Sequence, residues 1–194
     1  MSAKRLFWVL VLLVGAGAAA GLFVLRSSSA SPSVAAPAAT WAAGERPAPA
    51  FTLRDENGHA VSLAAYRGAP VLVTFMDPVC PDYCPLEAKV LNDALAHAPV
   101  SVVAVSVNLA ANGRKTLLHA AAKWQWGANW RWAVGSAGEL RPVWSRYGIA
   151  VLQTKREVVH TEAAYLVDAS GHERALFLWP FTAQSVADAI RSLR

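Results

Sequence analysis

Apolar and polar residues alternate in two short segments that precede the first long apolar run of the folded region. Residues 51–54 and 60–63 alternate with a period of two, which is typical of half-buried β-strands. Asn57-Gly58 lies between them and is a strong signal for a tight two-residue turn. The pattern therefore predicts an N-terminal β-hairpin.

The next three segments predict a β-α-β unit. Residues 71–75 form a short run rich in β-branched side chains, and residues 86–98 carry apolar side chains at helical spacing. Residues 100–107 are almost continuously apolar, as in a strand that is buried on both faces. We expect the two strands to be parallel neighbours in one sheet.

The remaining pattern continues the alternation of helices and strands. It predicts strands near residues 130–134, 163–167 and 174–178, and helices near residues 115–124, 138–147 and 182–193. Asp168-Ala169-Ser170-Gly171 predicts a turn between the last two strands. The fold class that follows is α/β, with a mixed β-sheet flanked by helices on both faces.

The N-terminus has a different pattern. Residues 6–25 are apolar or small without interruption and follow Lys4 and Arg5. This run of residues is long enough to cross a membrane as a helix. Residues 18–20 could form a cleavage site, but the apolar run continues beyond them, which favours an uncleaved signal anchor. The positive charges before the run predict a cytoplasmic N-terminus and a domain on the extracytoplasmic side.

Composition divides the chain into three parts. Residues 1–26 are predicted to be the signal anchor, a single transmembrane helix. Residues 27–50 are rich in Ser, Ala and Pro, and we expect them to be a flexible linker because they cannot bury a core. Residues 51–194 are long enough for one folded domain.

Charge excludes one class of partner. The net charge is +5 over the 194 residues, but the residues before Phe51 alone carry a net charge of +3. The domain therefore has no concentration of basic residues of the kind that binds nucleic acid, and we predict no nucleic-acid partner.

The two cysteines of the chain, Cys80 and Cys84, are the candidate reactive residues. They lie between a predicted strand and a predicted helix. If Cys84 lies in the first helical turn, the four-residue spacing places both sulfur atoms on one side, where the positive helix end favours thiolates. Thiolates serve both soft-metal binding and disulfide exchange.

A structural disulfide between the two cysteines would close so short a loop that it would stabilise the fold by only about 2 kcal/mol. A structural zinc site lacks its second ligand pair, whereas two thiolates with one imidazole suit copper.

Two sequence motifs make the chain recognisable. Cys80-Pro81-Asp82-Tyr83-Cys84-Pro85, together with Val159-His160 and the following Tyr165-Leu166-Val167-Asp168, resembles the Sco/SenC family of membrane-anchored, thioredoxin-like copper proteins involved in assembling cytochrome c oxidase. The resemblance implies a thioredoxin-like mixed sheet with an added N-terminal β-hairpin, behind one transmembrane helix. It also implies that His160 is the metal-binding histidine. The C-x3-C spacing argues against ordinary thioredoxins, which use C-x2-C.

The resemblance implies a copper metallochaperone. Cys80, Cys84 and His160 would bind Cu(I) or Cu(II), and the domain would deliver copper to, or prepare, the copper centre of an oxidase subunit, with a thiol reductant protein as a further partner. The alternative is a membrane-tethered thiol-disulfide oxidoreductase, in which Cys80 attacks and Cys84 resolves the mixed disulfide. A peroxiredoxin-like peroxidase is a weaker third hypothesis because the Thr-x-x-Cys arrangement of that family is missing.

Two positions depart from the family pattern. Met76-Asp77-Pro78 replaces a Gly-aromatic-Thr stretch, and Asn108 stands where the family has an acidic residue. We expect the charge of Asp77 to raise the pKa of the thiols, unless its side chain caps the helix. Met76 itself is predicted to be a core residue.

Other residue types that can carry chemistry have simpler interpretations. Four further histidines are predicted to lie on the surface: His59, His97, His119 and His172. Five tryptophans are predicted to pack in the core, with a docking surface as the alternative: Trp124, Trp126, Trp130, Trp132 and Trp144.

Overall fold

The computed structural model describes residues 36–154 and 157–193. Its strands are β1 (Ala39–Thr40), β2 (Thr52–Arg54), β3 (Ala60–Ser62), β4 (Val71–Met76), β5 (Ser101–Ser106), β6 (Trp130–Ala133), β7 (Val151–Gln153), β8 (Val158–His160), β9 (Ala163–Val167) and β10 (Glu173–Leu178). Its helices are α1 (Tyr83–His97), α2 (Arg114–Lys123), α3 (Ala137–Arg146) and α4 (Ala183–Arg191), with a 3₁₀ helix at Leu63–Tyr66.

The predicted transmembrane segment, residues 6–25, lies outside the described residues. Within the part of the chain that the structure describes, no helix is both long and apolar enough to cross a membrane.

A mixed six-stranded sheet forms the centre of the fold. Its strand order is β1-β10-β9-β4-β5-β6. Strands β4, β5 and β6 are parallel, and β9, β10 and β1 extend the sheet with antiparallel pairs. The predicted mixed α/β fold is therefore confirmed, including the hairpin of β2 and β3.

Helices cover both faces of the sheet because its central strands are apolar on both sides. Every residue of β4 is buried. Leu72 and Met76 face a core that includes α1, α2 and α4, whereas Val73 and Phe75 face a second core that includes α3 and the β2-β3 hairpin. Met76 is fully buried, which confirms its predicted place in the core.

Helix α1 begins at Tyr83, earlier than the predicted start at Leu86. The apolar periodicity starts only at Leu86, so the first turn carries no periodic signal. Pro85 fits in this turn because the N–H that proline lacks would have no partner within the helix there. The earlier start places Cys84 in the first turn of α1, as the sequence analysis required for a reactive pair.

Part of the segment predicted as a flexible linker is folded onto the sheet. Ala39 and Thr40 pair with Leu176 and Ala175 of β10, which makes β1 an edge strand. Arg46 then forms an ion pair with the buried carboxylate of Glu173. Composition could not indicate this ordering, because edge pairing uses backbone hydrogen bonds, to which small side chains present no obstacle.

A second hairpin was not predicted. Strands β7 and β8 pair in antiparallel register, with Val151 opposite His160 and Gln153 opposite Val158. Both strands are three residues long, too short for a clear alternation pattern. This hairpin carries His160.

Candidate metal centre

The two cysteines lie in a tight turn between β4 and α1. The Asp77 carboxylate accepts a hydrogen bond from the Val79 N–H at 3.0 Å, and the Cys80 N–H donates to the Asp77 carbonyl at 3.0 Å. Cys84 is the second residue of α1 and is buried, whereas Cys80 precedes the helix and is partly buried. Both thiols are free. The turn therefore places one thiol near the surface and the other in the interior.

Hydrogen bonds make the two thiols unequal. The Cys84 N–H donates to Cys80 Sγ, and the Asp77 N–H donates to Cys84 Sγ, each at 3.4 Å. The pKa of Cys80 is lowered to about 6, chiefly by a hydrogen bond from the Cys84 thiol and with help from backbone N–H groups. The same hydrogen bond, together with burial, raises the pKa of Cys84. At neutral pH Cys80 is a thiolate and Cys84 a thiol.

The two departures from the family pattern contact each other. Asn108 Nδ2 donates to Asp77 Oδ1 at 3.0 Å, the same oxygen that accepts from Val79. The pKa of Cys84 is raised and that of Cys80 is lowered, and the charge of Asp77 is not among the main causes of either shift. The alternative, that the Asp77 side chain caps the helix, is wrong, because α1 has no side-chain cap hydrogen bond at its N-terminus. The Asp77 side chain holds the turn in place.

His160 lies at the end of β8, and its imidazole faces the buried cysteine. Nε2 is 3.8 Å from Cys84 Sγ, and the side chain is only 2% exposed. Nδ1 is 3.0 Å from the Thr161 carbonyl. Because a carbonyl only accepts, this contact places a proton on Nδ1, and Nε2 is the ring nitrogen that faces the sulfur. The fold thus places two of the predicted residues beside the third, because Cys80 and His160 each contact Cys84.

A carboxyl group that the sequence analysis did not identify lies beside the imidazole. Glu162 Oε1 is 3.2 Å from His160 Nε2, and donor atoms of Cys84, His160 and Glu162 all lie within 4.8 Å of one another. Burial raises the pKa of Glu162, and His160 opposes this shift. The position of Glu162 two residues after His160 was the one available signal, and spacing of this kind is too common to select a ligand.

A second buried carboxyl group, that of Glu87, lies behind the site on α1. The Thr74 hydroxyl hydrogen-bonds both to Glu87 Oε1 and to the Ala163 carbonyl. Burial is the main reason that the pKa of Glu87 is raised well above its ordinary value, and the nearby Glu162 adds to the shift. Glu87 therefore keeps its proton to a higher pH than an exposed glutamate does.

The site opens into a cavity of about 940 Å³. Cys80, His160 and Glu162 line it, so an ion or a partner side chain can reach the Cys80 sulfur from one side, whereas Cys84 is buried behind it. Several lining residues are exposed and apolar or aromatic: Val79, Tyr83, Val159 and Leu178.

The other candidate residues lie elsewhere. His59, His97 and His119 are exposed and His172 is partly buried, as expected for histidines outside the site. Four tryptophans are buried in the core: Trp124, Trp130, Trp132 and Trp144. Trp126 is partly buried and stacks on Trp130 with ring centroids 4.3 Å apart. Core packing therefore accounts for the tryptophans, and the docking alternative is not needed.

The mixed sheet, the C-x3-C turn at the start of α1 and the histidine from a distant hairpin together define a thioredoxin-like protein with a candidate metal centre. The family model SCO1/SenC matches residues 41–194. The chain belongs to the SCO1/SenC family.

Solved structures of this family share the fold. ScoI of Bradyrhizobium japonicum with copper bound is 23% identical, with a TM-score of 0.66 over 76% of this chain and 99% of that chain. ScoI of Arabidopsis thaliana with copper bound is 21% identical, with a TM-score of 0.68 over 75% of this chain and 98% of that chain. BsSco, described with a disulfide switch and as a member of the Sco family of cytochrome c oxidase assembly proteins, is 20% identical, with a TM-score of 0.66 over 79% and 96%. Among curated protein sequences, none matches this chain.

Proposed function

We propose that this protein is a copper-binding metallochaperone. It delivers copper to, or prepares, the copper centre of a cytochrome c oxidase subunit on the outer face of a membrane. Family membership and the copper-bound relatives support this proposal. The observation that carries it is the 3.8 Å separation between His160 Nε2 and Cys84 Sγ, two residues that are 76 positions apart in the chain.

The donor set fits copper. Soft thiolates from Cys80 and Cys84 retain Cu(I), and the imidazole of His160 helps to bind Cu(II). Cys80 already carries the thiolate form at neutral pH, and the cavity beside it gives acceptor thiolates access. Copper would leave by ligand exchange with such an acceptor.

Copper titration of the reduced full-length chain tests this function. We expect one equivalent to bind, with a thiolate-to-Cu(II) charge-transfer band. Cys80→Ser or Cys84→Ser should abolish binding. His160→Ala should weaken Cu(II) binding by more than the roughly 10–100-fold that loss of an outer-shell partner costs. His172→Ala is the matched control, and unchanged copper binding in all three site variants would refute the proposal.

The second candidate function is a thiol-disulfide oxidoreductase, which the unequal thiols favour. The Cys80 thiolate would attack an acceptor disulfide, and the Cys84 thiol, after losing its proton, would resolve the mixed disulfide. The acceptor gains two electrons and becomes a dithiol, while Cys80 and Cys84 form a disulfide that a thiol reductant protein must reduce. His160→Ala should leave this exchange intact. Rapid exchange without stoichiometric copper binding would favour this function over the first.

A further inference from the structure

We propose that Glu162 is a further ligand of the copper site, and that it makes the site selective for Cu(II) over Cu(I). This inference rests on the proposed copper function. It adds a carboxylate oxygen to the thiolates of Cys80 and Cys84 and the imidazole of His160.

The separations between donor atoms fit one ion. His160 Nε2 is 3.8 Å from Cys84 Sγ and 3.2 Å from Glu162 Oε1. Metal ions bind nitrogen and oxygen at about 2.0 Å and sulfur at about 2.3 Å, so two donors at tetrahedral to trigonal angles stand about 3.3–3.7 Å apart. The two observed separations lie within about 0.1 Å of this range. All three donors lie within 4.8 Å of one another, so one cation can contact all three if Cys84 and Glu162 approach each other by up to about 1 Å on binding.

The position of Glu162 is that of a ligand rather than of a residue that orients the imidazole. A residue that orients a ligating histidine usually binds the ring nitrogen that faces away from the metal. In His160 that nitrogen is Nδ1, which is held by the Thr161 carbonyl at 3.0 Å. Glu162 instead approaches Nε2, the nitrogen directed towards Cys84 Sγ.

The Glu162 carboxyl group is held in place beside the site. It hydrogen-bonds the carboxyl group of Glu87, and its Oε1 atom lies 3.2 Å from His160 Nε2. A cation bound between Cys84, His160 and Glu162 would favour the ionised form of this carboxyl group.

A carboxylate at this position distinguishes the two oxidation states of copper for two reasons. Oxygen donors prefer the harder Cu(II), whereas thiolates accept both ions. In addition, two thiolates and a carboxylate leave the site one unit more negative with Cu(I) than with Cu(II). Glu162 is only 15% exposed and His160 only 2%, so solvent screens the extra negative charge of the Cu(I) form poorly. This charge therefore disfavours Cu(I) binding.

The test compares the affinities of the reduced full-length chain for Cu(I) and Cu(II), measured with competing chelators. We expect Glu162→Gln to weaken Cu(II) binding by more than the roughly 10–100-fold that loss of an outer-shell partner costs, with Cu(I) binding unchanged or tighter. Glu162→Asp keeps the charge but retracts the carboxylate by one methylene group, so it should also weaken Cu(II) binding. The electron paramagnetic resonance spectrum of the Cu(II) form should change in both variants, because a ligand is lost.

Glu157→Gln is the matched control, since Glu157 is exposed and lines the same cavity; it should bind both ions as the unaltered chain does. Thermal unfolding checks that each variant is folded, and if Glu162→Gln is not, Glu162→Asp provides the test. Unchanged Cu(II) affinity in Glu162→Asp, or an equal loss for both ions, would overturn the role of Glu162 while leaving the copper function intact. If the unaltered chain binds no copper, the proposed function itself fails.

Discussion

At the residue scale, the positions of Cys80 and Cys84 relative to α1 decide their chemistry. Cys80 lies before the helix, where N–H groups of the first turn point towards its sulfur. Cys84 lies inside the helix and packs in the core. Two cysteines thus have pKa values that are shifted in opposite directions, as a nucleophile and its resolving partner require.

The unequal thiols predict selective alkylation. Limiting iodoacetamide at pH 7 should modify Cys80 before Cys84. As the pH is lowered, the rate of Cys80 alkylation should fall with a midpoint near the Cys80 pKa of about 6, because the thiolate is the reactive form. Mass spectrometry of digested protein measures the modified fractions. Cys84→Ala removes the main hydrogen bond to Cys80 and should raise the midpoint. Preferential modification of Cys84 would contradict the assignment.

Glu87 predicts a specific pH dependence of stability. Because burial raises its pKa well above 4.5, the folded protein keeps a proton that the unfolded chain loses above about pH 4.5. Wild-type stability should therefore fall as pH rises through this window, by up to about 1.4 kcal/mol per pH unit. A glutamine side chain does not ionise, so the free energy of unfolding of Glu87→Gln should increase relative to that of wild type as the pH rises above about 4.5. Urea unfolding measures both profiles, and parallel profiles would show that Glu87 ionises normally.

At the element scale, β1 and the residues that follow it attach the N-terminal segment to the domain. Arg46 pairs with Glu173 at the start of β10 and lies 4.6 Å from the centre of the Trp41 ring. The Glu173 side chain is 1% exposed, whereas that of Arg46 is 51% exposed. Glu173 therefore depends on Arg46 to compensate its buried charge.

Arg46→Ala should destabilise the domain. We expect a loss of about 2–3 kcal/mol, less than for a fully buried pair because Arg46 is half exposed and Glu173 can take up a proton. Chemical denaturation measures the change in the free energy of unfolding. The double variant that combines Arg46→Ala with Glu173→Gln should recover part of the lost stability. Arg191→Ala removes an exposed ion pair with Asp188 and should leave stability unchanged. Equal effects of the two arginine variants would contradict this account.

The elements differ in how well local pattern predicts them. The strands β4, β5 and β9 are long apolar runs, and the sequence placed each of them to within one or two residues. The pairs β1-β10 and β7-β8 involve strands of two or three residues. Such strands form because neighbouring segments supply hydrogen-bond partners, a cause that lies outside their own sequence.

At the scale of the whole molecule, we propose that residues 1–26 anchor the domain to a membrane. The full-length chain should sediment with membranes and resist alkaline extraction, whereas residues 27–194 should be released. Leu13→Arg should weaken anchoring, since an arginine at the centre of a membrane span costs about 2.5–3.5 kcal/mol on insertion scales. Leu13→Ile is the matched control. Release of the full-length chain by alkali would contradict the anchor.

The sequence by itself determined the α/β class, most element positions, the hairpin of β2 and β3 and the reactive cysteine pair. These features depend on residues close together in the chain, where periodicity and spacing carry information. It could name His160 only through a family resemblance, and it did not identify Glu162 or Glu87. Only the tertiary structure placed His160 and Glu162 near Cys84, because these contacts depend on how the β7-β8 hairpin packs against α1, and sequence spacing carries no information about that distance. Glu87 follows Cys84 by one helical turn, but only the tertiary structure shows that its carboxyl group is buried.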